Sequence, residues 1–515
     1  MKTTALFLFG ALCSIAIHGT AHSKDYGEHL QNFTDSILLE NADGTRNHWT
    51  GIGRLTTHNC TATLLDTRDA SVTGHTPAYV LTAGHCIELT YGNIVTDRPE
   101  WGVLRFNLFS DTATKDYTMK TVAWRSMHGV DLAIIELEDT LQTLIQDGVQ
   151  PLKLARQLPA SGTDVLTVTA PRGFFNQETF ASTLRMAACT LQPAKEVVAN
   201  RWVWRSTLMT RCKDIAGGSS GGPVLDRHSN EIVGIVNITL KAQDLSSTCR
   251  TNAPCTPIDG VYRATPGDVF GIPTGFLNDC FEQGRLIDHG TLSCALFPAF
   301  TIISADQDKP TKLQKPNRHE DGTLETPTWD YRFSIDTPFY RYATVRTAKD
   351  CEKPRKYSGA INAKNAQGAK DAFIDTPIGT EPGYYFLCII GVDSPAQRPS
   401  IGLMSNALSL PVQILGGAPA TKPALSFQGL TVSLAGNEEP DRIYVYKFGP
   451  PDTTDCSKKE GYNFAPTLFV EMAGTPLPIK FCSVARDRSG NESEPRIDLL
   501  SASTSQPLYS LQTEH

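Results

Sequence analysis

The sequence predicts an all-β protein in which one large domain is followed by two small β-sandwich modules. Between residues 49 and about 294, short β-rich runs such as residues 232–238 alternate with turn residues, which is typical of a barrel or a sandwich. Beyond a polar stretch, an aromatic strand followed by two spaced cysteines occurs twice. A chain of 515 residues has room for about three such domains.

The first 23 residues have the form of a secretory signal peptide. Lys2 precedes an apolar run over residues 5–17, and small residues before residue 24 provide a cleavage site. No later segment has the roughly 18 apolar residues of a membrane span. We therefore expect a secreted protein, extracellular or periplasmic. Residues 24–47 are polar and weakly patterned, and we interpret them as an N-terminal arm or a pro-segment.

The remaining boundaries follow from composition and pattern. The large domain covers residues 48–300. Hydrophobic residues make up 40% of the chain, which is enough for a core in every domain. Residues 301–328 include a stretch rich in Pro, Lys, Asp and Glu and are predicted to be a linker. The two β-sandwich-like modules cover residues 329–415 and 416–515.

The two modules share one order of features. In each, an aromatic strand precedes a loop cysteine, and a second cysteine lies on a late strand that ends in an acidic turn. These cysteines are Cys351 and Cys388 in the first module and Cys456 and Cys482 in the second. By analogy at the domain level, the modules are predicted to bind a surface, a glycan or the substrate protein.

The cysteines indicate an oxidising compartment. Thirteen are present, and removal of Cys13 with the signal peptide leaves twelve, an even number. Spacing alone leaves the connectivity open, but pairing neighbours gives six disulfides: Cys60–Cys86, Cys189–Cys212, Cys249–Cys255, Cys280–Cys294, Cys351–Cys388 and Cys456–Cys482. The alternatives are free thiols or a metal site. Because the chain has no C-x-x-C or His-x-x-His spacing, we predict neither a metal nor a cofactor.

Charge gives no indication of an anionic partner. The formal net charge is −7 and the pI is near 6.0, so neither nucleic acid nor an anionic membrane is an expected partner.

Three short blocks in the large domain carry the groups that nucleophilic catalysis by serine needs. Ser220 stands in a glycine-rich run, residues 217–223; His85 follows a strand-like run, and Asp131 opens another. A serine nucleophile needs a base to take its proton and a carboxylate to orient that base. Each block alone has a structural explanation, because a lone histidine, a strand-end aspartate and a glycine-rich turn are all common. Asp111 and Asp116 are the alternatives to Asp131.

The three blocks resemble the signatures of trypsin-like serine proteases. Leu81-Thr82-Ala83-Gly84-His85-Cys86 is similar to the family's Leu-Thr-Ala-Ala-His-Cys, and Gly218-Ser219-Ser220-Gly221-Gly222-Pro223 to its Gly-Asp-Ser-Gly-Gly-Pro. The run Asp131-Leu132-Ala133-Ile134-Ile135 resembles the family's Asp-Ile-Ala-Leu strand. The order His, Asp, Ser is that of chymotrypsin. Over roughly residues 49–262, the resemblance implies a two-barrel chymotrypsin-like fold with a catalytic triad.

The resemblance also implies an oxyanion hole formed by the N–H groups of Gly218 and Ser220, and a disulfide from Cys86 to Cys60. Ser219 departs from the family pattern, because trypsin has an aspartate there that pairs with the new N-terminus after zymogen cleavage. A serine cannot make that ion pair, so we do not expect activation by that switch. The block is closer to secreted bacterial peptidases such as the glutamyl endopeptidase group, which hold the oxyanion loop by other contacts.

Substrate binding is predicted at Asp214, Asn237, Thr239 and Gly260. Asp214 stands where trypsin has the carboxylate at the base of its specificity pocket, and Gly260 matches the glycine that keeps the pocket open. Together they predict cleavage after Arg or Lys. The alternative is a structural Asp214, bonded to loop N–H groups.

Three further residues bear on specificity. Ala216 replaces the cysteine that closes the family's pocket, and Thr239 lies where it can narrow the pocket mouth. Both oppose cleavage after Arg or Lys. Val236 replaces the histidine of the glutamyl-specific group, which argues against cleavage after Glu.

The sequence therefore predicts a secreted serine endopeptidase, a hydrolase that acts on protein or peptide substrates through an acyl-enzyme. The alternative is a catalytically silent, protease-like binding or adhesion protein that acts through its C-terminal modules. An esterase that uses the same triad is a third hypothesis. The presence of all three triad residues in chymotrypsin order favours the endopeptidase.

Overall fold

The computed structural model describes residues 24–513 except for 69–75, 91, 173–182, 194, 240–248, 252, 288–293, 307–308, 320, 365–370, 417–418, 436–442, 466–468, 488 and 502–509. The predicted signal peptide, residues 1–23, lies outside the described residues. No helix among those described is long and apolar enough to cross a membrane.

The first sheet of the large domain closes into a six-stranded barrel. The strand Lys115–Ser126 pairs with both Val103–Phe106 and Leu132–Thr140, which closes the ring. Along its first half this strand alternates exposed polar with buried apolar residues, as expected for a strand with one solvated face. The order around the ring is Lys115–Ser126, Val103–Phe106, Ile52–Leu55, Cys60–Leu64, Pro77–Thr82 and Leu132–Thr140. A seventh strand, Val95–Pro99, pairs with Lys115–Ser126 outside the ring.

The second sheet curls into the second barrel of the large domain. A β-bridge between Gln192 and Met209 joins the two ends of its six main strands. The strand order is Ile37–Leu38, Arg185–Thr190, Asp164–Thr169, Pro223–Asp226, Ile232–Thr239, Val269–Pro273 and Leu208–Thr210. The all-β, two-barrel prediction is therefore confirmed.

Short elements connect the barrels and modules. The helix Leu141–Gln146 begins where the Thr140 hydroxyl accepts a hydrogen bond from the Thr143 N–H. The other helices are Ile401–Ser405 and the 3₁₀ turns Asn47–Trp49, Gly84–Cys86, Gly275–Cys280, Ala348–Glu352 and Pro354–Lys356. Four two-stranded hairpins pair Val197–Ala199 with Trp202–Trp204, Thr256–Ile258 with Val261–Arg263, Phe281–Glu282 with Arg285–Leu286, and Asn317–Arg318 with Leu324–Glu325.

Two β-sandwiches follow the barrels, each with a three-stranded and a five-stranded sheet. Module 1 has Ile302–Ser304, Tyr331–Ile335 and Asp371–Ile374 in one sheet and Leu313–Gln314, Leu408–Ile414, Gly383–Val392, Phe339–Val345 and Ile361–Asn362 in the other. Module 2 has Ala424–Gln428, Thr431–Ala435 and Phe469–Glu471 in one sheet and Asn463–Phe464, Ile443–Gly449, Ile479–Arg486, Arg496–Ser501 and Ser510–Thr513 in the other.

The two modules repeat one local design around their disulfides. In module 1, Cys351 follows the first long strand and bonds to Cys388 on the next; in module 2, Cys456 and Cys482 do the same. In both, a tyrosine hydroxyl six residues after the loop cysteine donates to that cysteine's carbonyl oxygen, at 2.7 Å and 2.8 Å. The pattern of aromatic strand and paired cysteines in the sequence thus reflects a structural repeat.

Residues 301–328, which we expected to be a linker, are largely part of module 1. Ile302–Ser304 pairs with Tyr331–Ile335, and Leu313–Gln314 pairs in parallel with Leu408–Ile414. Lys315 is buried and forms an ion pair with the buried Asp487 of module 2. The difference arises because the apolar pairs in this segment are short and separated by charged residues, so that its average composition is that of a linker.

All six disulfides of the neighbour pairing are present, and the prediction of disulfide bonds is confirmed.

The N-terminal arm, residues 24–47, lies on the second barrel, because Ile37–Leu38 pairs with Arg185–Thr190. Asp25 binds the Arg227 guanidinium through both carboxylate oxygens, at 2.7 Å and 3.0 Å.

Candidate active site

His85 and Asp131 meet at the edge of the first barrel. His85 lies in the 3₁₀ turn that follows the strand Pro77–Thr82, and Asp131 directly precedes the strand Leu132–Thr140, which pairs with it. Asp131 Oδ1 accepts the backbone N–H of His85 at 2.8 Å, and Oδ2 lies 2.7 Å from Nδ1. Because a carboxylate only accepts, Nδ1 carries the proton, and Nε2 is the ring nitrogen able to take one.

The two groups shift each other's titration. Burial alone would lower the pKa of the His85 imidazole, but the charge of Asp131 and the hydrogen bond to it raise this pKa above its ordinary value. Burial would raise the pKa of Asp131, whereas the charge of His85 and the hydrogen bonds from it hold that pKa below its usual range. Asp131 is therefore a carboxylate at neutral pH, although its side chain is only 1% exposed.

Ser220 comes from the second barrel, three residues before the strand Pro223–Asp226. Its Oγ donates to the carbonyl oxygen of Asn237 at 3.1 Å, and the Asn237 amide donates to the carbonyl oxygen of Asp131 at 2.6 Å. Asn237, which we predicted to bind substrate, thus connects the serine loop to Asp131. Among the described residues, no hydrogen bond joins Ser220 to His85.

The serine loop packs backbone to backbone against the segment that carries His85. At Gly221 (φ +80°), an added Cβ would lie 2.1 Å from Thr82 Oγ1 and 2.9 Å from the backbone nitrogen of Ala83. Thr61 donates its backbone N–H to the carbonyl oxygens of both Gly218 (3.0 Å) and Ser220 (2.9 Å). The Cys60–Cys86 disulfide joins the neighbour of Thr61 to the neighbour of His85. His85 and the serine loop are therefore held by one cross-linked segment.

The backbone around Ser220 leaves two N–H groups available. Gly218 has φ +95°, a conformation that favours glycine. Neither its N–H nor that of Ser220 donates to an acceptor in the part of the chain that the structure describes. Two free N–H groups beside the serine can bind an oxyanion.

Ser219 stabilises the loop from inside. Its side chain is fully buried, with Oγ 3.2 Å from the hydroxyl of Thr169 and accepting the N–H of Ala216 at 3.3 Å. These neutral contacts occupy the position where trypsin uses an ion pair.

Residues 60–235 match the family model described as the trypsin-like peptidase domain. The chain contains a trypsin-like peptidase domain. The predicted resemblance is thereby confirmed, and the protein is a serine endopeptidase that acts on proteins or peptides. Among solved structures, neuropsin, a serine protease expressed in the limbic system of mouse brain, is 16% identical over 47% of this chain and 95% of its own, with a TM-score of 0.29. A TM-score of this size supports no structural argument, and no curated protein matches the chain.

Asp214 of the peptidase domain is bound to the N-terminal arm. Its Oδ2 accepts both the backbone N–H (2.7 Å) and the hydroxyl (2.8 Å) of Ser36. Arg185 in turn donates from Nε to the Ser36 hydroxyl oxygen at 2.8 Å and from Nη2 to the Ser36 carbonyl oxygen at 2.6 Å. The carboxylate predicted at the base of the specificity pocket thus anchors a distant segment in this structure.

The structure does not bring Gly260 to the strand beside Ser220. Gly260 lies at the turn of the hairpin that joins Thr256–Ile258 to Val261–Arg263. The neighbour of Ile232–Thr239 is instead Val269–Pro273, which pairs Thr239 with Val269. The Thr239 hydroxyl donates to the carbonyl oxygen of Asp268 at 3.3 Å. The short Gly-Val-Tyr match was misleading because the chain makes an extra hairpin before it enters this strand.

The alternatives to Asp131 are engaged elsewhere. Asp111 accepts the N–H groups of Asn41 and Ala42, and Asp116 pairs with Arg105.

The cluster of Cys60, Cys86 and His85 has ligand atoms close enough for a metal, but its two sulfur atoms are bonded to each other.

Sequence reasoning missed several residues that brace the site, among them Ser36, Thr61, Thr169 and Arg125. Arg125 is fully buried and donates to the carbonyl oxygens of Gly84 (3.2 Å) and Asn93 (3.1 Å), on either side of the His85 turn. An arginine directly after the apolar run Val122-Ala123-Trp124 is a detectable signal, because a buried guanidinium needs acceptors. Ser36 and Thr169 have no such signal.

Proposed function

We propose that the protein is a secreted endopeptidase whose triad is His85, Asp131 and Ser220. Ser220 Oγ attacks the carbonyl carbon of the scissile bond while His85 Nε2 takes the hydroxyl proton. The N–H groups of Gly218 and Ser220 stabilise the negative oxygen, each by about 3 kcal/mol in the transition state. His85 then gives the proton to the leaving amine, and a water molecule, deprotonated by the same base, releases the acyl group.

The observation that carries this proposal is the double hydrogen bond from His85 to Asp131. It fixes the ring orientation and the tautomer, so that Nε2 is the basic nitrogen, as a serine nucleophile requires. In the described contacts Ser220 Oγ donates to Asn237 rather than to His85. Catalytic hydrogen bonds are commonly looser before substrate binds, and rotation about one side-chain bond changes the acceptor of a serine hydroxyl.

For Asp214 we propose the structural role. Asp214 lies six residues before Ser220, and two hydrogen bonds from Ser36 to its Oδ2 tie it to the arm. Cleavage after Arg or Lys stays a prediction. The buried Asp268, directly before the strand Val269–Pro273, offers a second carboxylate. It is paired with Arg211 at 2.9 Å. A cationic substrate side chain would have to compete with these partners.

Six disulfides support an oxidising compartment rather than the cytoplasm. Secretion through the predicted signal peptide is the proposed route. Binding of a surface, a glycan or the substrate protein by the C-terminal modules stays a prediction.

The proposed function is tested by labelling with a fluorophosphonate probe, which reacts only with an activated serine. We expect the wild-type protein to be labelled and Ser220→Ala to remain unlabelled, while both have the same thermal unfolding transition. An absence of wild-type labelling would favour the catalytically silent binding protein. Equal labelling of Ser220→Ala would assign the nucleophile to another residue.

A further inference from the structure

Arg205 joins the peptidase domain to module 1. Its side chain, directly after the strand Trp202–Trp204, is 2% exposed. Within the described part of the chain, every hydrogen bond of the guanidinium goes to module 1, and the acceptors are Ala407 O (2.9 Å), Ser409 Oγ (2.8 Å), Met404 O (2.9 Å), Ser405 O and Glu352 Oε1 (3.3 Å). A buried arginine whose donors are satisfied by backbone carbonyls fixes the relative position of two elements.

The same guanidinium lies against the segment that leads to Asp131. The Arg205 backbone N–H donates to the carbonyl oxygen of Gly129 at 3.1 Å. Gly129 has φ +63°, and an added Cβ there would lie 2.1 Å from Arg205 Nη2. Asp131 lies only two positions after this glycine. Module 1 is thus connected, through one side chain, to the backbone that carries the proposed orienting carboxylate.

A second contact comes from the neighbouring residue, His128, which is fully buried. Its Nδ1 donates to the carbonyl oxygen of Asn406 at 3.1 Å. The Asn406 amide donates in turn to the carbonyl oxygens of Leu296 and Pro298, each at 2.8 Å. Burial lowers the pKa of His128 to about 3, so this ring is neutral across the working range of a serine protease.

An apolar seam continues the same interface. Val198 and Val203 of the peptidase domain share one buried cluster with Val345 and Phe386 of module 1. The Tyr262 ring lies 4.6 Å from that of Tyr384. The contact is therefore a packed core with buried hydrogen bonds, which differs from the polar and mobile boundary usual between domains.

We propose that module 1 is a working part of the peptidase, in which Arg205 is a positioning residue that holds residues 128–131 so that Asp131 can orient His85. The proposal rests on the triad proposed above. Arg205 touches neither the serine nor the base, and it acts through Gly129 and Asp131. Displacement of a catalytic group by about 1 Å can lower a rate by about 10²-fold.

The test uses the full chain and the fluorophosphonate probe, with the limiting rate of labelling and the half-saturating probe concentration measured separately. Arg205→Ala is expected to lower the limiting rate by about 10–100-fold and to leave half-saturation unchanged. Arg205→Lys should restore part of the rate, because lysine keeps the charge but offers fewer donors in another geometry. If Arg205→Ala does not fold, Ser409→Ala removes one acceptor and Glu352→Gln removes the negative charge of another, and each should lower the rate by about 2–5-fold.

The matched control is Lys315→Gln, which breaks a buried ion pair at the boundary between modules 1 and 2. It should lower stability without changing the labelling rate. A loss of stability alone would leave the pH dependence of the labelling rate unchanged. Displacement of Asp131 should instead move the midpoint of that pH dependence to lower pH, because Asp131 raises the pKa of His85. The charged groups that face His85 are Asp131, which raises its pKa, and Arg125, which lowers it.

Two results would overturn the proposal: unchanged rate and midpoint in folded Arg205→Ala, or an equal loss of rate in Lys315→Gln. Absence of labelling in the wild type would overturn the triad itself, and this proposal with it.

Discussion

Replacing Ser36 with alanine removes the hydroxyl that joins the N-terminal arm to Asp214. The carboxylate keeps the Ser36 backbone N–H as a donor but loses the second donor, and Arg185 loses an acceptor. A hydrogen bond to a charged group contributes about 1.5–3 kcal/mol. Because Ser36 is buried and Asp214 is half-buried, we expect Ser36→Ala to lower the free energy of unfolding by about 2 kcal/mol. We expect a similar loss for Asp214→Asn, which keeps the shape but removes the charge.

The assay compares kcat/KM for fluorogenic peptides with Arg, Lys, Leu or Glu before the scissile bond. If Asp214 is an anchor, Ser36→Ala and Asp214→Asn lower kcat/KM by one common factor for every peptide that is cleaved. The matched control is Asp111→Asn, since Asp111 also accepts two N–H groups of the arm, from Asn41 and Ala42. It should lower stability with little effect on kcat/KM.

A selective effect would refute this reasoning. Removal of a buried charge that binds a cationic side chain costs at least about 3 kcal/mol, which is roughly 100-fold in kcat/KM. Suppose that Asp214→Asn lowers kcat/KM by about 100-fold for the Arg and Lys peptides alone, whereas Ser36→Ala leaves kcat/KM for these peptides unchanged. Asp214 is then the base of the specificity pocket.

Four further predictions concern the catalytic groups and the contacts that hold them. Asp131→Asn should lower kcat by about 10⁴-fold in peptide hydrolysis, because the wrong tautomer of His85 is then favoured; a loss below tenfold would exclude this role. Since Asp131 raises the pKa of His85 and only the neutral ring accepts a proton, kcat/KM should fall as pH decreases through a midpoint above 6.5, and a midpoint at or below 6.5 would contradict the pairing. Gly221→Ala should abolish fluorophosphonate labelling, because its Cβ would overlap the His85 segment, and full labelling would disprove that close packing. Replacing both Cys60 and Cys86 with serine opens a disulfide with a sequence separation of 26 and should cost about 3–4 kcal/mol in denaturant unfolding, whereas unchanged stability would show that this cross-link is dispensable.

The parts of the site that are local in sequence could be predicted. The Leu-Thr-Ala-Gly-His-Cys block fixes a strand, a turn and a cysteine around His85, and the glycines near Ser220 fix a turn with free N–H groups. The strands were recognisable because apolar residues alternate or cluster over short runs. The modules were recognisable because each keeps two cysteines and an aromatic strand in the same order.

The contacts that could not be predicted join polar residues far apart in the chain. Nothing around Ser36 indicates that its hydroxyl binds Asp214, and the neighbourhood of Arg205 does not reveal five acceptors in module 1. A short motif also misled, since Gly260 and its two neighbours match a family pattern but lie in a separate hairpin. Residues 301–328 were mistaken for a linker because their strands are only two or three residues long.

Three of these contacts join residues made at very different times. The sequence separation is 178 from Ser36 to Asp214, 202 from Asp25 to Arg227, and 202 from Arg205 to Ala407. Since a polypeptide emerges from its N-terminus, the Asp25 and Ser36 side chains lack these partners until the second barrel has been synthesised, and the Arg205 guanidinium lacks its module 1 acceptors until module 1 follows. A chain that stops before module 1 already contains His85, Asp131 and Ser220, but lacks the support that we propose module 1 gives to Asp131. In a protease, such late completion would delay proteolysis until module 1 has been synthesised and has packed against the peptidase domain.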